Sequence, residues 1–165
     1  DLSIEAGASL LHGKLRDATS SIGDYSAWAL HANADWRNWN VQAQALRYDY
    51  DVDGGADRLA VGAYGFYDSI AARADSYSFN VAYHLPVSWG PIGSLDFYND
   101  HSLVNNKSGN LPATRMNVLG VAVAAGSLYT YLDYVIARNQ PFIGGSMAGE
   151  GETEHRFNVN FGFYF

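Results

Sequence analysis

Thr153-Glu154-His155-Arg156-Phe157-Asn158-Val159-Asn160-Phe161-Gly162-Phe163-Tyr164-Phe165 shows the two-residue period of this chain most clearly. From Phe157 onward every second residue is large and apolar: Phe157, Val159, Phe161, Phe163 and Phe165. Arg156, Asn158, Asn160, Gly162 and Tyr164 stand between them. Successive side chains of an extended strand point to opposite faces, so this segment has one greasy and one polar face. The same period runs upstream. Tyr77, Phe79, Val81, Tyr83 and Leu85 alternate with Ser78, Asn80 and His84, and Trp28, Leu30, Ala32, Ala34 and Trp36 with His31, Asn33 and Asp35. Trp39, Val41, Ala43 and Ala45 alternate with Asn40, Gln42 and Gln44, while Leu128, Leu132, Tyr134 and Ile136 oppose Tyr129, Tyr131 and Asp133.

Composition narrows the class. The 165 residues suit one domain or part of a larger one. Charged residues make up 16%, against roughly 25% in ordinary soluble domains. With 10 basic and 17 acidic residues the net charge is −7, which argues against nucleic acid as a partner, since phosphate binding needs clustered cations. Four Trp, 12 Tyr and 8 Phe argue against disorder. The absence of Cys excludes disulfides and thiolate metal sites. The longest apolar run, Val118 to Gly126, is far short of the roughly 18 residues of a membrane helix. A soluble β-sandwich or barrel and a membrane β-barrel both fit this combination. The chain opens at Asp1 in what reads as a strand, and an outer-membrane protein loses its signal before maturity, so the missing leader decides nothing.

The pattern predicts strands near 2–15, 25–36, 39–50, 77–86, 92–103, 115–125, 128–139 and 154–165. Short connections at Arg37-Asn38, Val87 to Pro91 and Gly126-Ser127 alternate with long ones near 16–24, 51–76, 104–114 and 140–153. Sorting short turns to one end and long loops to the other is the asymmetry of outer-membrane barrels. Trp36, Trp39, Trp89, Phe163 and Phe165 all fall at the short-turn end, where an interfacial aromatic girdle belongs. The expected fold is therefore all-β: an antiparallel up-and-down transmembrane β-barrel of about eight strands, or half of a larger one. Residues 1–165 read as a single barrel domain or segment, with 51–76 as a long loop at the surface or forming a constriction. Two segments fit less easily. Arg58 to Tyr67 looks like a strand that would break the up-down parity, and is placed in the long loop; a count of nine or ten strands is the rival. Met116 to Ala125 is apolar on both faces, which suits lipid on one side and protein on the other.

Several segments also carry a family resemblance. A terminal Phe165 preceded by alternating aromatics resembles the C-terminal signal of bacterial outer-membrane proteins, which the barrel-insertion machinery reads. Ala82-Tyr83-His84-Leu85-Pro86-Val87-Ser88-Trp89-Gly90-Pro91, Leu95-Asp96-Phe97-Tyr98-Asn99-Asp100, Tyr129-Thr130-Tyr131-Leu132-Asp133 and Arg156 to Phe165 resemble the closing strands of Gram-negative phosphate-selective porins. The resemblance implies a porin in the bacterial outer membrane, in contact with membrane lipid and lipopolysaccharide and assembling as a homo-oligomeric trimer. Members of that group form barrels of about sixteen strands, roughly twice what this chain holds, so it reads as the C-terminal part of such a porin or a shortened relative. The arginine and lysine runs behind phosphate selectivity do not map onto this chain, and that selectivity is not carried over.

By parity the residues expected to line the pore are Glu5, His31, Asn33, Asp35, Asn40, Gln42, Gln44, Asn80, His84, Asp96, Tyr98, Asp100, Asp133, Arg156, Asn158 and Asn160. This wall has more acids than bases, which favours cations in a narrow channel. The expected function is passive diffusion of small hydrophilic solutes or ions. The alternative is a non-conducting eight-stranded structural or adhesive barrel, because eight strands leave an interior just filled by side chains. No enzyme is expected: His12, His31, His84, His101 and His155 are scattered, and adjacent His101 and Ser102 point to opposite faces of a strand. No cofactor is implied. Asp49-Tyr50-Asp51-Val52-Asp53-Gly54 matches the start of a calcium loop, with Asp57 as a further ligand. Ala60, however, stands where a bidentate Glu is required, and a solvated acidic turn is the simpler reading.

Overall fold

The structure is a computed structural model and describes residues 1–63, 66–149 and 151–165. Its strands are β1 (Leu2–Arg16), β2 (Ser21–Trp36), β3 (Trp39–Val52), β4 (Arg58–Ala63), β5 (Phe66–Ala71), β6 (Arg73–Trp89), β7 (Ile92–Asn105), β8 (Thr114–Ala125), β9 (Leu128–Arg138) and β10 (Thr153–Phe163). Two single turns of 3-10 helix, Ser108–Asn110 and Pro141–Ile143, sit in connections. Eight strands form one antiparallel sheet in the order β1-β2-β3-β6-β7-β8-β9-β10, while β4 and β5 pair only with each other.

All eight expected strands are present, most of them longer than the alternation alone indicated. β2 begins at Ser21, so the connection expected over 16–24 shrinks to a tight turn at 17–20. Asp17 organises it: its Oδ1 accepts hydrogen bonds from the backbone N–H groups of Thr19 and Ser20, both at 2.7 Å. These bonds hold the Asp17 carboxyl below the usual carboxylate range. At the other end, the Arg37-Asn38 turn places Arg37 at φ 54°. Asn38 fastens this turn to β6, its Nδ2 donating to the His84 carbonyl and its own carbonyl accepting from the His84 N–H, both at 2.8 Å.

The ambiguous Arg58 to Tyr67 stretch is not a ninth strand of the main sheet. It forms β4 and the start of β5, and Tyr64 and Gly65 within it lie outside the described residues. The hairpin leaves β3 paired directly with β6 and so preserves the up-down order. The expected closed barrel is not formed. β1 and β10 are the two ends of the sheet, and neither has a partner on its outer side among the described residues. Every ladder in the sheet joins strands that follow one another in its order, and none links the first to the last.

The core is small and lies at the long-loop end. Ala71, Ala74 and Leu111 form it, with Tyr48, Val104 and Ala148 packed against them. Tyr48, Ala74 and Val104 share the face that carries Gln44, Ser78 and Ser102, because directly opposed residues of an antiparallel ladder lie on one side. The connections 53–72, 106–113 and 139–152 thus fold over the polar face at this end. Tyr48 Oη donates to the Ala71 carbonyl at 3.1 Å, and Ser108 Oγ bridges the Asp57 carbonyl (2.7 Å) and the Arg73 N–H (3.1 Å).

Glycine serves the sheet where an aromatic ring lies flat on it. Tyr98 of β7 opposes Gly120 of β8, which opposes Asp133 of β9. The Tyr98 ring crosses Gly120, leaving no room for a Cβ there, and its hydroxyl donates to Asp133 Oδ1. His31 covers Gly7 and Tyr25 covers Gly13 in the same way. This explains the doubly apolar Met116 to Ala125 stretch. On one face Gly120 and Ala122 are buried within the protein, while on the other Leu119 is 60% exposed. Gly120→Ala is expected to displace Tyr98 and cost about 1–3 kcal/mol of stability in denaturant titration of the folded chain. Gly93→Ala, where a Cβ meets open space, serves as the neutral control. Equal midpoints for the two variants would refute the packing role.

Candidate functional site

The register assembles the polar residues into rungs that cross the whole sheet. One rung reads Glu5, Asn33, Gln42, Asn80, Asp100, Val118, Val135 and Arg156. The next reads Ser3, Asp35, Asn40, Ala82, Tyr98, Gly120, Asp133 and Asn158. On the other side of the first runs Gly7, His31, Gln44, Ser78, Ser102, Met116, Ala137 and Glu154. His84 opposes Asp96 on the same face, and Asn160 opposes Tyr131. All sixteen residues that parity assigned to one wall therefore share a face.

Their side chains bond to one another. Asn40 Nδ2 donates to Asn33 Oδ1 and to Asp35 Oδ1, both at 2.7 Å, and Asn33 Nδ2 donates to Asp35 Oδ2 at 2.9 Å. Gln42 Nε2 continues the chain to Asn40 Oδ1 at 3.1 Å. Asn80 Nδ2 donates to Asp100 Oδ1 at 2.8 Å, and His84 Nδ1 lies 2.6 Å from Asp96 Oδ1. Asn33 and Asn40 act as both donor and acceptor while Gln42 and Asn80 donate, so the amides orient the carboxylates without neutralising them. Glu5, His31, Asn33, Gln42, Gln44, Ser78 and Asn80 border a shallow depression of about 320 Å³. On these rungs Glu5, Asp35, Asp96, Asp100, Asp133 and Glu154 face a single arginine, Arg156, whose Nη1 donates to the Phe142 carbonyl at 2.7 Å.

The opposite face is mostly apolar across the middle of the sheet, interrupted by Asn99 between Val81 and Leu119 and, one rung nearer the long loops, by His101 and Asn117. Leu2, Ile4, Leu10, Trp28, Leu30, Trp36, Trp39, Tyr77, Phe79, Phe97, Leu119, Tyr134, Ile136, Phe157, Val159, Phe161 and Phe163 are large, exposed and on this one side. Trp36 and Trp39 are direct partners at the short-turn end. The Arg37 guanidinium lies 4.9 Å from the Trp36 ring centre, and the Trp39 and Tyr83 rings lie 4.7 Å apart. Trp89 and Phe163 stand at the same end, each at the close of its strand, with Phe165 exposed just beyond.

Some features escaped the alternation. Glu154 and Ser102 obey the same parity and were legible in principle. The cluster that ties the long connections was not, because its members are distant in sequence. Asp68 of β5 accepts from Ser146 Oγ (2.5 Å) and from the Met147 N–H (2.9 Å), and Lys107 Nζ donates to Thr114 Oγ1 (2.7 Å) and the Met147 carbonyl (2.6 Å). Buried Asn139 receives the Gly151 N–H at 2.7 Å and donates to the Ala113 carbonyl at 2.9 Å. Burial pushes the Lys107 ammonium down to about 8, opposed by the Asp68 charge. Burial also works to raise the Asp68 carboxyl, but the bonds from Ser146, Met147 and Ser69 and the Lys107 charge hold it below its ordinary value.

The calcium-loop reading fails on geometry. Asp49 and Asp51 belong to β3, opposite Ser26 and Asp24, and Arg73 lies 3.7 Å from Asp49. Among the described residues no three His, Asp or Glu side chains converge on a metal position. His101 and Ser102 fall on opposite faces, beside Phe79 and Ser78 respectively. No family model, curated protein or solved structure matches this chain.

Lys107 makes the loop cluster pH-sensitive. Its folded value of about 8 lies below its ordinary 10.5, so between these limits the unfolded chain binds more protons and stability rises with pH. Below about 8 both states are protonated and the contribution is flat. Protection of 106–113 and 139–152 from proteolysis is expected to increase from pH 8 to 10 in the parent chain but not in Lys107→Met. An identical rise in the variant would sink the assignment.

Proposed function

We propose that this sheet is the wall of an outer-membrane β-barrel of the porin type, allowing passive diffusion of small hydrophilic solutes or ions. The observation that carries the reading is the division of faces. A soluble sheet buries its large apolar side chains, and an exposed apolar patch of this extent marks an interaction surface. Here that surface runs across all eight strands, edged at the short-turn end by Trp36, Trp39 and Trp89. Lipid is the partner that suits such a face, and aromatic rings at its edge suit the headgroup zone. The acid-rich opposite face supplies a wetted path with cation preference. In this reading Phe165 ends the segment offered to the barrel-insertion machinery, and the protein resides in the bacterial outer membrane. Lipopolysaccharide then borders the long-loop end, and the reading needs no cofactor and no catalytic group.

Unpaired backbone N–H and C=O groups cannot remain in hydrocarbon. The outer edges of β1 and β10 therefore pair in the membrane, with each other or with further strands. The extra-strand arrangement gives the aqueous channel, since a barrel of eight alone is filled by its side chains. Such strands come from the same polypeptide or from other copies, as in a trimer. One observation favours the second reading, a non-conducting eight-stranded barrel: the loop cluster around Leu111 and Lys107 folds over the polar face.

Single-channel recording in planar bilayers, with mass and oligomer size measured in the same detergent, separates the two. Steady ohmic steps are expected for the porin; silence from a folded monomer would leave the structural barrel. In a conducting sample, Asp96→Asn with Asp133→Asn is expected to lower the cation-to-anion permeability ratio by roughly twofold. Unchanged reversal potentials across a salt gradient would remove these carboxylates from the path.

A further inference from the structure

Arg115 of β8 and Arg138 of β9 are direct cross-strand partners on the apolar face, near its long-loop end. Like charges set directly opposite one another destabilise a sheet unless something offsets them. Elsewhere on this face carboxylates do so: Lys14 pairs with Asp24 at 2.8 Å, Arg47 with Asp75 at 3.6 Å and Arg73 with Asp49 at 3.7 Å. Among the described residues no carboxylate pairs with Arg115 or Arg138. Both are exposed, and Arg138 spends only its Nε, on the Gly151 carbonyl at 3.0 Å. Their flanking partners are Leu103 and Thr153, neither of them acidic.

The sequence of side chains leading to this pair is itself informative. Moving along the strands toward the long loops, the apolar face passes from Leu119, Tyr134 and Phe157 to Asn117, Ile136 and His155, and then to the two arginines. Tyr134 Oη lies 2.9 Å from His155 Nδ1, which turns its hydroxyl toward the polar end. Apolar and aromatic, then an amide and an imidazole flanking an isoleucine, then cationic is an order of rising polarity, as met on leaving hydrocarbon for the phosphate level of a bilayer. Guanidinium groups are suited to that level because each presents a planar fork of donors matching phosphate oxygens.

We infer that Arg115 and Arg138 form a clamp for the phosphate of an anionic lipid headgroup, with the acyl chains lying along Leu119, Tyr134 and Phe157. The clamp rests on the membrane reading above. The bound phosphate offsets the like-charge pair, and the stretch of rim formed by β8 and β9 becomes its anionic-lipid side.

Spin-labelled phosphatidylglycerol and phosphatidylcholine, compared by their association with the full chain in phosphatidylcholine vesicles, test this. Phosphatidylglycerol is expected to be preferred several-fold, and Arg115→Gln with Arg138→Gln to reduce that preference toward parity. Arg47→Gln with Arg73→Gln, which removes acid-partnered charges, is expected to leave it unchanged. Flotation with vesicles and the far-UV strand signal verify that each variant folds. A preference retained in the Arg115/Arg138 variant, or absent from the parent chain, overturns the clamp while leaving the membrane reading in place. Loss of the preference in millimolar inorganic phosphate at constant ionic strength overturns the lipid as occupant in favour of a free anion. Failure of the parent chain to float with any vesicle overturns both readings together.

Discussion

In an antiparallel ladder directly opposed residues share a face, and the side-chain period is two, so a slip of one residue would carry a whole strand's apolar set to the wrong side. The remainder of this structure depends on that constraint. Trp36 opposite Trp39 sets the phase of β2 against β3, and Val41 opposite Val81 transmits it to β6. Tyr83 opposite Phe97 and Leu119 opposite Tyr134 carry it on through β9, where Leu132 meets Val159. The short turns assist because two-residue connections leave little freedom in register. Backbone bonding supplies the strength of the sheet, and the alternation decides its phase.

Dividing the faces in this way leaves almost no conventional core. The buried apolar residues are few and mostly small, such as Ala71, Ala74 and Ala137, and they gather beneath the long connections. Polar contacts stand in for hydrophobic burial at that end: Asn139, Lys107, Ser108 and Asp68 each link segments remote in sequence. Burial disfavours the charged form of Lys107, which donates to one carbonyl and one hydroxyl, and this couples the arrangement of the loops to pH. The centre of the polar face is organised differently, by amides that bridge carboxylates across neighbouring strands.

The glycines belong to the same economy of space. A tyrosine standing upright on the polar face would project away from the sheet, whereas Tyr98 lying across Gly120 reaches Asp133 two strands away. A glycine two residues from an alanine in an apolar run carries no mark of this role. The aromatic that covers it lies more than twenty residues away in the chain, and only the pairing of β7 with β8 brings them together.

Features that depend on local period and turn chemistry are legible in the order of residues. The eight long strands, the residues of each face and the end at which Trp36, Trp39, Trp89 and Phe163 gather all follow from alternation, because a strand's two faces are set by backbone geometry alone, whereas the connection read as long over 16–24 is a tight turn at 17–20. Contacts between segments distant in the chain were decided only by the tertiary structure. The pairing of β4 with β5 apart from the main sheet, the contact of Asp68 with Ser146, the extension of β3 through Asp49 and Asp51 in place of an ion-binding loop, and, among the described residues, the outer edges of β1 and β10 left without a partner are all of this kind. Local propensity cannot specify them, because each is a choice among partners that are equally extended and equally polar, made by packing over the polar face.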